Sequence, residues 1–104
     1  MRRVHSLQWV RTALRDLGEI REYVSRDNPA AAADLAERIQ RRVESLMLHP
    51  LAGRIVLEFP SRGYREVIVY PYRIVYVVRS LSVSIVRVWH GRRDLKREDL
   101  PEEK

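Results

Sequence analysis

Apolar side chains recur at Val10, Ala13, Leu14, Leu17, Ile20 and Val24, the i, i+3, i+4, i+7 spacing that lines one face of a helix. This pattern predicts a helix from Val10 to Arg26, preceded by a short strand over residues 2–8. Asp27-Asn28-Pro29 then breaks the chain and restarts it. Asp or Asn caps a helix through its side-chain oxygen, and proline is tolerated in the first turn, where its missing N–H is not needed. The second helix carries Ala32, Leu35, Ala36, Ile39, Val43, Leu46 and Met47 on one face, with Glu37, Arg38, Arg41, Arg42 and Glu44 mostly on the other. It is expected to stop at His49-Pro50.

After Gly53 the period changes from helical to extended. IVLEF at 55–59, REVIVY at 65–70, YRIVYVVR at 72–79 and VSIVRVWH at 83–90 are rich in Val, Ile and Tyr, the residues that fit a pleated, half-buried surface. Pro60-Ser61-Arg62-Gly63, Pro71 and Ser80-Leu81-Ser82 separate them; Gly53 and Gly63 read as turn residues. The expected fold class is α+β: an N-terminal strand, a helical hairpin, then an antiparallel meander sheet. The hairpin lies on one sheet face and leaves the other for function. Residues 1–93 form one domain in this reading, and the charged tail 94–104 frays.

Composition narrows the class. A chain of 104 residues, 45% hydrophobic and 33% charged, supports one folded core. It has no cysteine, which excludes disulfides, thiolate zinc sites and a cysteine nucleophile. No apolar run approaches the roughly 20 residues of a membrane helix, and the N-terminus lacks a signal-peptide stretch, so a cytoplasmic location is expected. The net charge is +6, and 18 of the 20 basic residues are arginine. The planar guanidinium fork suits phosphates and carboxylates, so the expected partner is nucleic acid or an acidic protein.

Candidate chemistry gathers at VWHGRR, residues 88–93. Facing residues of an antiparallel hairpin have a constant sum of residue numbers, so pairing Arg79 with Ser82 sets Arg73 opposite Val88 and His90 diagonally beside it. Arg73 and His90 then share a face, with Arg92 and Arg93 just beyond; a one-residue slip would separate them. Arginine stabilises charge on a phosphoryl group and histidine moves protons near neutrality, which together suit RNA cleavage through the ribose 2′-hydroxyl. That reaction requires no metal or other cofactor. Glu58 and Glu66 are expected to pair with neighbouring arginines, His5 and His49 to be structural or incidental, and the tyrosines to serve packing. Trp89 points away from His90.

Five strings in order, ALRDLGEIREYVSRDNPAAA at 13–32, LMLHPLAGR at 46–54, GYREVIV at 63–69, YRIVYVV at 72–78 and VRVWHGRRD at 86–94, give the chain its resemblance to the RelE/ParE superfamily of type II toxin–antitoxin toxins. The resemblance implies a β-α-α-β-β-β-β fold and an acidic cognate antitoxin that wraps around the toxin. RelE-like and YoeB-like members cut messenger RNA on the ribosome and carry an arginine matching Arg73. YoeB-like members add a catalytic histidine matching His90, RelE-like ones a basic pair matching Arg92 and Arg93, whereas ParE-like members usually lack the Arg73 arginine and often keep the histidine. Arg65 joins these as an expected catalytic residue, and Arg92 and Arg93 as RNA-binding ones. ParE-like members, the alternative, inhibit DNA gyrase without chemistry. The tyrosine that nuclease members use after the last strand has no clear match in DLKREDLPEEK, and the RelE-like catalytic lysines are absent from residues 54–65.

Overall fold

A computed structural model describes residues 4–101. Strand β1 is Ser6–Trp9, helix α1 Arg11–Asp27 and helix α2 Pro29–Glu44, which ends in a single 3₁₀ turn at Ser45–Met47. The strands β2, Arg54–Ile55, β3, Tyr64–Val69, β4, Tyr72–Arg79, and β5, Ser82–His90, follow, and a second 3₁₀ turn covers Arg97–Asp99. Asn28 separates the helices as its chemistry demands: its side-chain oxygen accepts the Ala31 N–H at 3.0 Å, and Pro29 fills the first helical position. Arg2 and Arg3 of the expected first strand lie outside the described residues.

The sheet order is β1-β5-β4-β3-β2. The last four strands form the expected antiparallel series, while β1 adds to β5 in parallel, Ser6 beside Ser82 through Trp9 beside Ile85. A parallel neighbour needs a long crossover, and here the hairpin and the meander together supply it. The helices lay Ala13, Leu35, Ile39, Val43 and Leu46 on one sheet face, against Ile74, Tyr76, Val83, Ile85 and Val88.

Two expectations fail at the other face. IVLEF does not continue as a strand: β2 ends at Ile55, and Val56 turns inward to join a second core with Tyr64, Val75, Val77, Val86 and Trp89. Nor does the tail fray over its described part, residues 94–101. Leu95 and Leu100 are buried in that second core, Tyr64 Oη donates to the Pro101 carbonyl at 2.9 Å, and Arg87 Nη1 donates to the Asp99 carbonyl at 2.9 Å. Two leucines spaced within a charged run suffice to hold it, because the sheet's far face is apolar and would otherwise remain wet. The far face is therefore covered around Val75, Val77, Val86 and Trp89, while Ile68 beside Arg73 stays exposed.

Gly53 shows why one turn needs its glycine. Its N–H donates to Tyr76 Oη at 2.9 Å, and Tyr76 Oη donates to the Pro50 carbonyl at 2.8 Å. A Cβ at Gly53 would lie 2.6 Å from that oxygen, so the requirement is close approach of backbone to a buried side chain.

Candidate functional site

The expected register of the last hairpin holds from Arg79–Ser82 to Tyr76–Ile85 and then slips by one residue. Val86 is the extra residue; beyond it Val75 pairs with Arg87, Arg73 with Trp89 and Tyr72 with His90. Such a bulge puts two residues of one strand opposite one of its neighbour and flips everything past it to the other face. The expectation that Arg73 and His90 share a face is thereby corrected: His90 joins Tyr72 on the helix side, and Arg73 joins Trp89 on the far side.

Asp16 holds the strand just past the bulge. Where β1 ends at Trp9, α1 begins, and the edge of β5 beyond Ile85 loses its strand neighbour. The Asp16 carboxylate takes the strand's place: it accepts the Val88 N–H at 2.9 Å and both Nε and Nη2 of Arg87 at 2.8 Å. Arg87 also packs over the Trp89 ring, 4.7 Å from its centroid, and Arg93 lies 4.3 Å from the same centroid. Trp89 Nε1 donates to the Arg93 carbonyl at 3.1 Å. The hydrogen bonds that Arg87 donates to Asp16 raise the Arg87 pKa, so the guanidinium stays charged.

Arg73 is surrounded by carboxylates. Its Nη1 and Nη2 donate to the two oxygens of Glu58 at 2.9 Å each, and its Nε donates to Glu66. The Glu66 side chain is 2% exposed and also accepts from Arg54 Nε at 2.8 Å. The Arg73 hydrogen bond holds the Glu58 pKa below its ordinary value, and the Glu58 hydrogen bond raises that of Arg73. Glu58 and Glu66 thus pair with arginine, as expected from the sequence. The burial of Glu66 was not legible, because it depends on Arg54 and Arg73 converging on it from both neighbouring strands.

The remaining expected site residues disperse. Arg65 Nη1 donates to the Gly53 carbonyl at 2.8 Å, which ties it to the loop before β2. His90 Nδ1 accepts the Arg92 N–H at 3.1 Å, leaving Nε2 as the ring's other polar atom, and the ring meets Tyr72 edge-on at 5.4 Å. Arg93 belongs to the Trp89 stack. Arg73, His90 and Arg92 do border one cleft of about 330 Å³ at the end of the sheet, together with Arg54, Ile68 and Tyr70. On the helix side His90 and Arg92 border a second groove of about 620 Å³ with Ile20, Tyr23 and Tyr72. Of the other candidates, Tyr64, Tyr72 and Tyr76 are buried, Tyr70 is exposed, and Trp89 faces the second core.

A helical hairpin on a five-stranded sheet, closed behind by its own C-terminal segment, defines a class of small α+β proteins. The family model for the ParE toxin of type II toxin–antitoxin systems, parDE, matches residues 7–95. The chain belongs to this RelE/ParE superfamily of toxins. Toxin RelE2 of Caulobacter vibrioides is 38% identical over 86 residues, which cover 82% of this chain and 93% of that protein. Putative toxin Y4kP of Sinorhizobium fredii is 37% identical over 89 residues, covering 82% and 86% respectively. The chromosomal ParDE toxin–antitoxin system from P. aeruginosa contains a chain of like structure, with a TM-score of 0.68 at 28% identity over 84% of this chain and 96% of that one. No helix among the described residues is long and apolar enough to cross a membrane.

Proposed function

We propose that this toxin arrests growth by binding its target, DNA gyrase, as ParE-like members do, rather than by cutting RNA. The observation that carries the reading is the state of Arg73. All three of its donor nitrogens are engaged by Glu58 and Glu66, so two negative charges surround the one positive charge that a phosphorane-like transition state would need. A phosphate approaching that fork meets two carboxylates as well as a cation. The general acid or base expected at His90 stands on the opposite sheet face. On the far face, the part around Val75, Val77, Val86 and Trp89 is covered by Leu95 and Leu100, which leaves only the end of the sheet beside Arg73 open.

Binding has a surface available on α1, where Leu14 and Tyr23 are exposed and the groove beside Tyr23 opens toward Arg92. An acidic cognate antitoxin neutralises the toxin in this reading, by charge complementarity with a chain of net charge +6. The site of action is the cytoplasm.

One observation favours RNA cleavage on the ribosome instead: Arg73, His90 and Arg92 border the same cleft despite their opposed faces. In that reading Arg73 stabilises the transition state, His90 transfers the proton, and Arg65, Arg92 and Arg93 hold RNA. A supercoiling assay with purified gyrase and purified toxin separates the two. The binding reading expects loss of supercoiling and accumulation of cleaved DNA complexes; undisturbed supercoiling at toxin excess would exclude it.

A further inference from the structure

The Arg73 fork has one carboxylate built into the sheet and one that is not. Glu66 sits on β3, nearly fully buried, and is held a second time by Arg54. Glu58 lies in the irregular segment between β2 and β3, its side chain 36% exposed. Exposed apolar side chains lie beside it in the chain and beside its partner Arg73. Leu57 precedes it and is 76% exposed, Ile68 stands directly opposite Arg73 on β3 and is 46% exposed, and Tyr70 is 76% exposed. The adjoining cleft adds Arg92, with which no carboxylate pairs among the described residues.

We infer that Glu58 is an exchangeable occupant of the Arg73 fork, and that the cleft receives a carboxylate from an acidic, apolar segment of the antitoxin in its place. This rests on the reading that a cognate antitoxin neutralises the toxin. The exchange is isoelectric. One carboxylate leaves for solvent and another arrives, so neither Arg73 nor Glu66 is left buried and unpaired, which would be the costly outcome. A backbone phosphodiester would bring the same single charge, but it has no use for the exposed apolar side chains of Ile68 and Tyr70 beside the fork. A peptide that alternates acidic and apolar side chains uses both halves of the site: the fork and Arg92 for its carboxylates, Ile68 and Tyr70 for its apolar groups.

The test is calorimetric titration of the full chain with a blocked peptide alternating glutamate and leucine. Glu58→Gln removes the internal competitor while leaving Arg73 and Glu66 in place. If the latch is closed about nine-tenths of the time, the variant binds about tenfold more tightly than wild type. The same peptide with glutamine for glutamate loses this gain, and so does the double variant Glu58→Gln, Arg73→Lys, whose ammonium lacks the fork. Glu58→Ala, read in the same way, guards against an effect peculiar to the amide. Equal affinities for wild type and Glu58→Gln overturn the inference, as does a gain that the glutamine peptide shares. A gain for a short uridine-rich oligonucleotide but not for the peptide also overturns it, and assigns the fork to nucleic acid. The gyrase assay uses wild-type toxin without peptide, so failure of the target reading registers separately.

Discussion

Asp16 and Arg87 lie 71 positions apart in the chain and form a two-pronged ion pair, with both nitrogen–oxygen distances at 2.8 Å. The same carboxylate accepts the Val88 N–H, so one helix residue fixes both a side chain and the edge of a strand. Asp16→Ala leaves a partly buried guanidinium and an edge amide without their acceptor. A loss of about 3 kcal/mol or more in urea unfolding is expected. Glu22→Gln, which breaks the exposed pair with Arg26, is expected to cost less than about 1 kcal/mol. Similar losses for the two variants would remove Asp16 from its place as the organiser of β5.

The Glu58–Arg73 pair predicts an acid limb of stability. A carboxyl whose folded pKa is depressed stabilises the fold fully above its unfolded pKa, about 4.5 for glutamate, and loses that contribution as pH falls through the lower folded value. Melting temperature followed from pH 6 downward is therefore expected to fall more steeply for wild type than for Glu58→Gln below about pH 4.5. Parallel curves would show that the pair contributes nothing.

The C-terminal segment is part of the core, and its leucines are expected to behave accordingly. Leu100→Ala removes a buried side chain that faces Trp89 and Val86 across the second cluster, with an expected cost of about 2 to 4 kcal/mol. Truncation after Arg93 is expected to expose the Trp89 ring, shifting its fluorescence to longer wavelength. An unchanged emission spectrum after truncation would contradict the packing described.

Gly53→Ala places a Cβ where Tyr76 Oη and the Glu66 carbonyl already stand, at 2.6 and 2.7 Å. Overpacking at this point is expected to cost about 1 to 3 kcal/mol. Tyr76→Phe in the same background removes the clashing oxygen, so part of the loss is expected to return; no recovery would place the conflict with the ring edge or the Glu66 carbonyl, both 2.7 Å from that Cβ.

The elements were legible in the sequence because each is written locally. The 3.6-residue period from Val10 to Val24, the Asn28-Pro29 break and the β-branched runs on either side of Pro71 need no distant partner to be read. What escaped reading depends on contacts far along the chain. The bulge at Val86 lies beside contacts to a helix carboxylate 70 residues earlier in the sequence, and one extra residue in β5 was enough to part Arg73 from His90. Leu95 and Leu100 sit in a charged run with no period of their own, and only the apolar far face explains their burial. Glu58 and Glu66 were legible as arginine partners, whereas their convergence on a single guanidinium was not.

The most direct measurement is primer extension on cellular transcripts after brief induction of the toxin without its antitoxin, with the DNA damage response recorded in the same cells. An Arg73 saturated by carboxylates predicts intact messages and a strong damage response. Discrete cuts within translated messages, without DNA damage, would contradict the account and return Arg73 and His90 to a catalytic pair.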